Sequence, residues 1–310
     1  AQASGAGVQG YYDPGSNTTT LIVDDDINTE TLVHELVHAL QHQQLGLGIG
    51  ANTQDGTLAH RSVIEGEAEL LTERYFDRCG VVWECFRPGD APGASTESAD
   101  SDDTADIPLG LRLYIVQPYT QGTEFVESIR ERGDWDAVDR LHEAKPNSSE
   151  QVIHPERYPD DRPTDVRLPD RSSGDWQRVG HTPATDTLGE ASVYAMLLDN
   201  GIITVDDPTR YDHVFSEGWA GGAFAVYRNQ GGESGYVWKT EWDSQTDAEQ
   251  FAGAYREVLD EHDATPRGDD IEVIVDGPFA DAFRVTQTGT TVRIVNAPFA
   301  GALSAVHPRQ

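Results

Sequence analysis

The segment His34-Glu35-Leu36-Val37-His38 decides how this chain is read, because it has the pattern H-E-x-x-H. On a helix, residues i and i+4 share a face, with about 6 Å of rise between them. Two imidazoles so spaced can each give one nitrogen to a single Zn²⁺ at about 2.0–2.1 Å. Glu35, beside the first histidine, can reach a metal-bound water as general base. The competing reading is a chance match on a polar helix. The apolar flanks Leu32, Val33, Leu36, Val37, Ala39 and Leu40 weigh against it. They predict a helix buried on most sides, where His and Glu need partners.

Upstream, Thr18-Thr19-Thr20-Leu21-Ile22-Val23 predicts a strand. Asp24, Asp25, Asp26 and Asn28 then offer turn and N-cap groups, and Glu30 falls in the first helical turn. A strand leading into the motif helix and lying along a cleft resembles the arrangement of zincins. The metzincin version needs Gly at position 41 and His at position 44, where this chain has Gln41 and Gln44, so that class is rejected. His42 continues the histidine stripe, but i+8 lies about 12 Å from its start on a straight helix. It reads as a surface residue or a neighbour of the ligands.

In Ser62-Val63-Ile64-Glu65-Gly66-Glu67-Ala68-Glu69-Leu70-Leu71, Glu65 and Glu69 share a helix face and Glu67 points away. The bland reading is a solvated acidic face. The E-G-x-A pattern, however, resembles the second zinc-binding helix of gluzincins. Carried over residue by residue, that resemblance makes Glu65 the third ligand and Glu69 the carboxylate that orients a ligand histidine.

Further segments follow in one order: Gln117-Pro118-Tyr119 with Gly122, Ser148 through Tyr158, and Glu217-Gly218-Trp219 with Val226-Tyr227. Together, over roughly residues 10 to 262, the chain resembles exported gluzincin-type metallopeptidases of bacteria and archaea. The family's usual G-W-G-G-D-R is replaced after Trp219 by Ala220-Gly221-Gly222-Ala223-Phe224, which removes a charged pair. The resemblance implies zinc as cofactor and a peptide or protein as substrate. It also implies a His or Tyr that donates to the oxyanion. His154, held extended by Pro155, is the candidate, with Tyr158 second; the alternative is a loop histidine satisfied by its neighbours. His181 and Glu190 form a weaker pair; Glu190 either bridges to an arginine as a structural group, the favoured reading, or faces the cleft. Trp219 and Tyr227 read as core aromatics.

The formal charge is −32 and only two lysines occur, Lys145 and Lys239. Such acidity resembles proteins of extreme halophiles, where a screening length of about 3 Å at 1 M salt relieves self-repulsion. It argues against nucleic acid or anionic membrane as partner. No apolar run is long enough to span a bilayer. The start Ala1-Gln2-Ala3-Ser4-Gly5 looks processed, which with the resemblance points to an extracellular or cell-surface location. Cys79 and Cys85 would close a hairpin as a disulfide in an oxidising setting. The alternatives are two reduced cysteines or soft metal ligands, and C-x₅-C without further cysteines is a poor zinc site.

Taken together, an α+β chain is expected. It has a zincin-like helical core carrying H-E-x-x-H on a buried helix, an N-terminal edge strand and a β-rich C-terminal third. Residues 1–17 should be loosely held, 18–262 should form the peptidase-like domain with an acidic loop at 88–106, and 263–310 a small β-rich extension. The rival readings are a silent pseudo-peptidase that binds or chaperones an exported partner, and a zinc hydrolase of a non-peptide amide. Oligomeric state is not readable.

Overall fold

The computed structural model describes residues 10–22, 27–48, 50–82, 107–180, 185–268 and 270–309, and in it the H-E-x-x-H segment lies on a helix, α1 (Thr29–Gln44). Asn28 caps α1, its side chain accepting the Thr31 N–H at 3.1 Å. Two strands precede it: β1 (Gly10–Asp13) pairs antiparallel with β2 (Thr18–Leu21), Tyr12 opposite Thr19. Residues 10–13 are therefore not loose, because the ladder with β2 satisfies their backbone groups. Cys85, the 88–106 segment and His181 lie outside the described residues.

The chain divides into two units, Ala1–Ile49 with His60–Lys145, and Gly50–Ala59 with Pro146–Gln310. The first unit holds the β1–β2 hairpin, α1, most of α2 (Gln54–Asp77) and α3 (Leu109–Leu141). α3 breaks at Gly133 and Asp134, which lie outside helical geometry, whereas Pro118 lies inside the helix and causes no interruption. Val63, Ile64, Ala68 and Leu70 of α2 and Leu113, Phe125, Val126 and Ile129 of α3 are buried.

Gly66 of α2 and Gly122 of α3 let the two backbones touch. A Cβ on Gly66 would sit 2.2 Å from the Gly122 carbonyl carbon, and one on Gly122 would sit 2.4 Å from the Ser62 oxygen. Ser62 Oγ donates to Gln117 Oε1 at 2.9 Å at the same crossing.

In the second unit, α4 (Ser149–Ile153) and α5 (Glu190–Asp199) accompany a seven-stranded antiparallel sheet. Its strands are β3 (Gln177–Val179), β4 (Trp219–Arg228), β5 (Ser234–Trp242), β6 (Thr265–Pro266), β7 (Ile271–Val273), β8 (Ala282–Thr288) and β9 (Thr291–Ala297), in the order β3-β4-β5-β9-β8-β7-β6. The expected boundary near 263 is not where the structure divides. β9 pairs with β5 from Tyr236 opposite Asn296 to Glu241 opposite Thr291, which covers an edge that would otherwise expose unpaired N–H and C=O groups. Trp219 and the residues after it form β4.

One face of the sheet packs on α6 (Gln245–Glu261): Phe251 meets Trp238 edge-on at 5.4 Å and stacks on Trp242 at 4.7 Å. α6 starts at Gln245, capped by Ser244, whose side chain accepts the Asp247 N–H at 3.2 Å. The other face carries Ala225, Tyr227, Val237 and Val295 against Leu168, Trp176 and the short helix α7 (Leu303–Val306). Trp219 and Tyr227 are fully buried, as core aromatics. The fold class is α+β with a β-rich C-terminal region. Among the described residues no helix is long and apolar enough to cross a membrane.

Candidate metal centre

α1 presents His34 and His38 on one face, one turn apart, with ring centroids 4.8 Å from each other. α2 brings Glu65 to both: Glu65 Oε2 lies 3.4 Å from His34 Nε2 and 3.3 Å from His38 Nε2. The three residues are placed to hold a metal ion, their donor atoms all within 4.8 Å of one another. A tetrahedral ion with bonds of about 2.0–2.2 Å sets its ligand atoms about 3.3–3.6 Å apart. The two nitrogen–oxygen separations fall in that range, and two imidazoles with one carboxylate suit a first-row divalent metal ion. Burial opposes the charged form of both histidines. The Glu65 and Glu69 carboxylates outweigh it at His34 and lift its pKa to about 9. Burial likewise works against the Glu65 carboxylate, but hydrogen bonds and charge from His34 and His38 bring it down to about 2. Without an ion the cluster is thus bound together by protons, and an ion that takes their place must displace them.

The far nitrogens of both imidazoles have partners. Glu69 Oε2 lies 3.4 Å from His34 Nδ1, the orienting position expected of it. His38 Nδ1 meets Gln41 Oε1 at 2.9 Å. Gln41 Nε2 donates to the Ile64 carbonyl at 3.0 Å and to Glu67 Oε2 at 2.8 Å, and His142 Nε2 meets the same Glu67 oxygen at 2.7 Å. Glu67 does point away from the ligands, but into this buried network. His42 is not part of the cluster; its Nδ1 pairs with the Tyr12 hydroxyl at 2.8 Å.

Glu35 is buried, and its Oε2 has no hydrogen-bond partner. Burial raises its pKa, helped by Glu65 and countered by His38, His34 and the backbone N–H of Tyr12. The strand that reaches Glu35 is thus β1, from the stretch expected to be loose. Tyr119 of α3 stacks on His34 with centroids 6.1 Å apart, and its hydroxyl faces Glu65. Burial and then the Glu65 charge keep this phenol above its usual range, so it remains a donor. In the sequence Tyr119 stands out only as part of the Gln117-Pro118-Tyr119 segment. The signal that places it was the glycine pair Gly66 and Gly122.

His154 and Tyr158 belong to the second unit. There, His154 Nε2 lies 3.0 Å from Oε1 of Glu190, whose side chain is fully buried. Among the described residues Glu190 makes no ion pair with an arginine; it holds this histidine. Burial lifts the Glu190 carboxyl to about 7, partly offset by His154. At His154 burial is outweighed by Glu190, so the imidazole is raised. Cys79 is buried, and its expected partner Cys85 is outside the described residues.

Residues 177–307 match a family described as a domain of unknown function (DUF8575). That span runs from β3 to α7 and does not include His34, Glu35, His38 or Glu65. No curated protein and no solved structure matches the chain.

Proposed function

We propose that this protein is a zinc-dependent hydrolase of peptide bonds, acting outside the cell at high salt. His34, His38 and Glu65 are the ligands and Glu35 is the general base. The observation that carries the proposal is the ligand geometry: three donor atoms within 4.8 Å of one another, both nitrogen–oxygen separations at tetrahedral spacing, beside a buried carboxylate oxygen that has no partner. When bound, the ion supplies Lewis-acid activation of water and of the scissile carbonyl.

The chain's own groups do the rest. Glu35 accepts the Tyr12 N–H on one side and keeps Oε2 for a proton. Its raised proton affinity lets it take that proton and return it to the leaving amine. Glu69 and Gln41 fix the imidazoles, and Tyr119 holds Glu65. His154, oriented by Glu190, is carried from the sequence resemblance as the oxyanion donor, with Tyr158 second. The peptide substrate rests on that resemblance, and the high-salt setting on the charge of −32 with two lysines.

The test is Glu35→Gln, measured for zinc content and for cleavage of a peptide library at high salt. It should keep about one zinc per chain and lose nearly all hydrolysis. Undiminished hydrolysis by this variant sinks the mechanism. Zinc held by a wild-type protein that cleaves nothing supports the binding-only pseudo-peptidase instead.

A further inference from the structure

In a chain with 54 acidic and 22 basic residues, positive charge gathers at one place on the second unit's sheet. Lys239 on β5 lies directly opposite Arg293 on β9, which lies directly opposite Thr286 on β8. The two cations therefore share a face as cross-strand neighbours, an arrangement that costs stability unless something compensates. Arg167 and Arg171 join them around a cavity of about 520 Å³, with Thr288 and His307 also in its wall.

Counter-charge is sparse. Glu241 pairs with Lys239 at 3.1 Å and also accepts from Thr291. Among the described residues, Arg171 and Arg293 have no carboxylate at ion-pair distance, and the buried Nε of Arg293 has no hydrogen-bond partner. The walls are fixed beforehand. Arg178 donates to the Leu168 carbonyl at 2.8 Å, the Ser173 N–H donates to the Ala305 carbonyl at 2.8 Å, and Arg284 donates to the His307 carbonyl. The His307 ring is neutral. Burial, and then the charges of Arg293, Arg171, Arg284 and Arg178, push its pKa down to about 4.

We propose that this cavity binds a small soluble molecule carrying a phosphate or diphosphate group, held by Arg171, Arg293 and Lys239. Two guanidinium forks match tetrahedral oxyanions, and three cations against one carboxylate favour a multiply charged group over a single carboxylate. The volume exceeds what inorganic phosphate fills and lies in the range of small-molecule sites. A polymer such as nucleic acid is disfavoured by the overall charge. This site involves none of the metal ligands and does not depend on the hydrolase proposal.

The experiment is calorimetric titration of the full chain with inorganic pyrophosphate, ionic strength held constant with potassium chloride, with potassium sulfate titrated in parallel. Saturable pyrophosphate binding is expected, at least tenfold tighter than sulfate, and weakened at least tenfold by Arg293→Met and by Arg171→Ala. Arg293→Met removes a cation that has no carboxylate partner, so its anion-free unfolding temperature should equal or exceed that of wild type. If Arg293→Met does not fold, the exposed Arg171→Ala decides alone. No saturable binding, binding equal to sulfate, or unchanged affinity in Arg171→Ala overturns the proposal.

Discussion

Gly66 and Gly122 are in backbone contact: no side chain fits at either position without moving α3 off α2, since a Cβ on Gly66 would lie 2.2 Å from the Gly122 carbonyl carbon. The contact sets where Tyr119 falls relative to Glu65 and His34. Gly66→Ala should destabilise the protein by about 3 kcal/mol or more, the upper end for overpacking against backbone that cannot yield. Zinc binding should weaken with it. Thermal unfolding and zinc titration check both, and a variant as stable as wild type means the two helices are not packed this closely.

The relay from His38 through Gln41 to Glu67 and His142 predicts that Gln41 is a positioning residue. Gln41→Met keeps the length of the side chain and removes both hydrogen-bonding ends. Loss of such an outer partner typically costs about 10–100-fold in metal affinity. Competition with a chelator reads this directly, without any substrate. Wild-type affinity in the variant would reduce the relay to a packing feature.

Tyr119→Phe keeps the ring on His34 and deletes only the hydroxyl facing Glu65. Zinc should be held less tightly while the fold is retained. His154→Ala should behave differently: zinc content unchanged, turnover lower by roughly 10²–10³, and substrate affinity much less affected, as for a lost oxyanion donor. Steady-state kinetics beside metal analysis separates the two. A His154→Ala enzyme at wild-type rate makes that histidine structural.

Asp55 predicts a pH dependence of stability in the second unit. Burial pushes its carboxyl up to about 6; the two Ser149 hydrogen bonds oppose the rise and Asp186 adds to it. The folded state therefore holds a proton that the unfolded chain has released near its ordinary value of 3.8. The contribution is fully present below that value and is lost as pH rises through about 6. Asp55→Asn, which cannot titrate, should flatten the fall in unfolding temperature between these values. A variant whose slope equals that of wild type assigns the dependence elsewhere.

The candidate cluster was legible in the sequence in part: helical period sets the common faces, while the choice of Glu65 to join the histidines came from the family resemblance. His34 with His38, and Glu65 with Glu69, are i,i+4 pairs, and each pair's common face is fixed by its own helix. The Asn28 cap was readable for the same reason, its determinants being local; the apolar flanks of α1, by contrast, do not bury it on most sides, since Leu36 and Leu40 are exposed. What lay beyond the sequence joins residues far apart. Gln41 and Glu67 are 26 positions apart, and Glu67 and His142 are 75 apart, so no periodicity links them. Tyr119 reaches Glu65 only because two glycines allow two helix backbones to touch. β9 could have started a separate extension; pairing with β5 placed it inside the larger sheet and set Arg293 opposite Lys239. The sequence by itself determined which residues share a face of one helix or strand. Only the tertiary structure decided which faces meet, because helix approach and strand register are set by packing and pairing between segments distant in the chain.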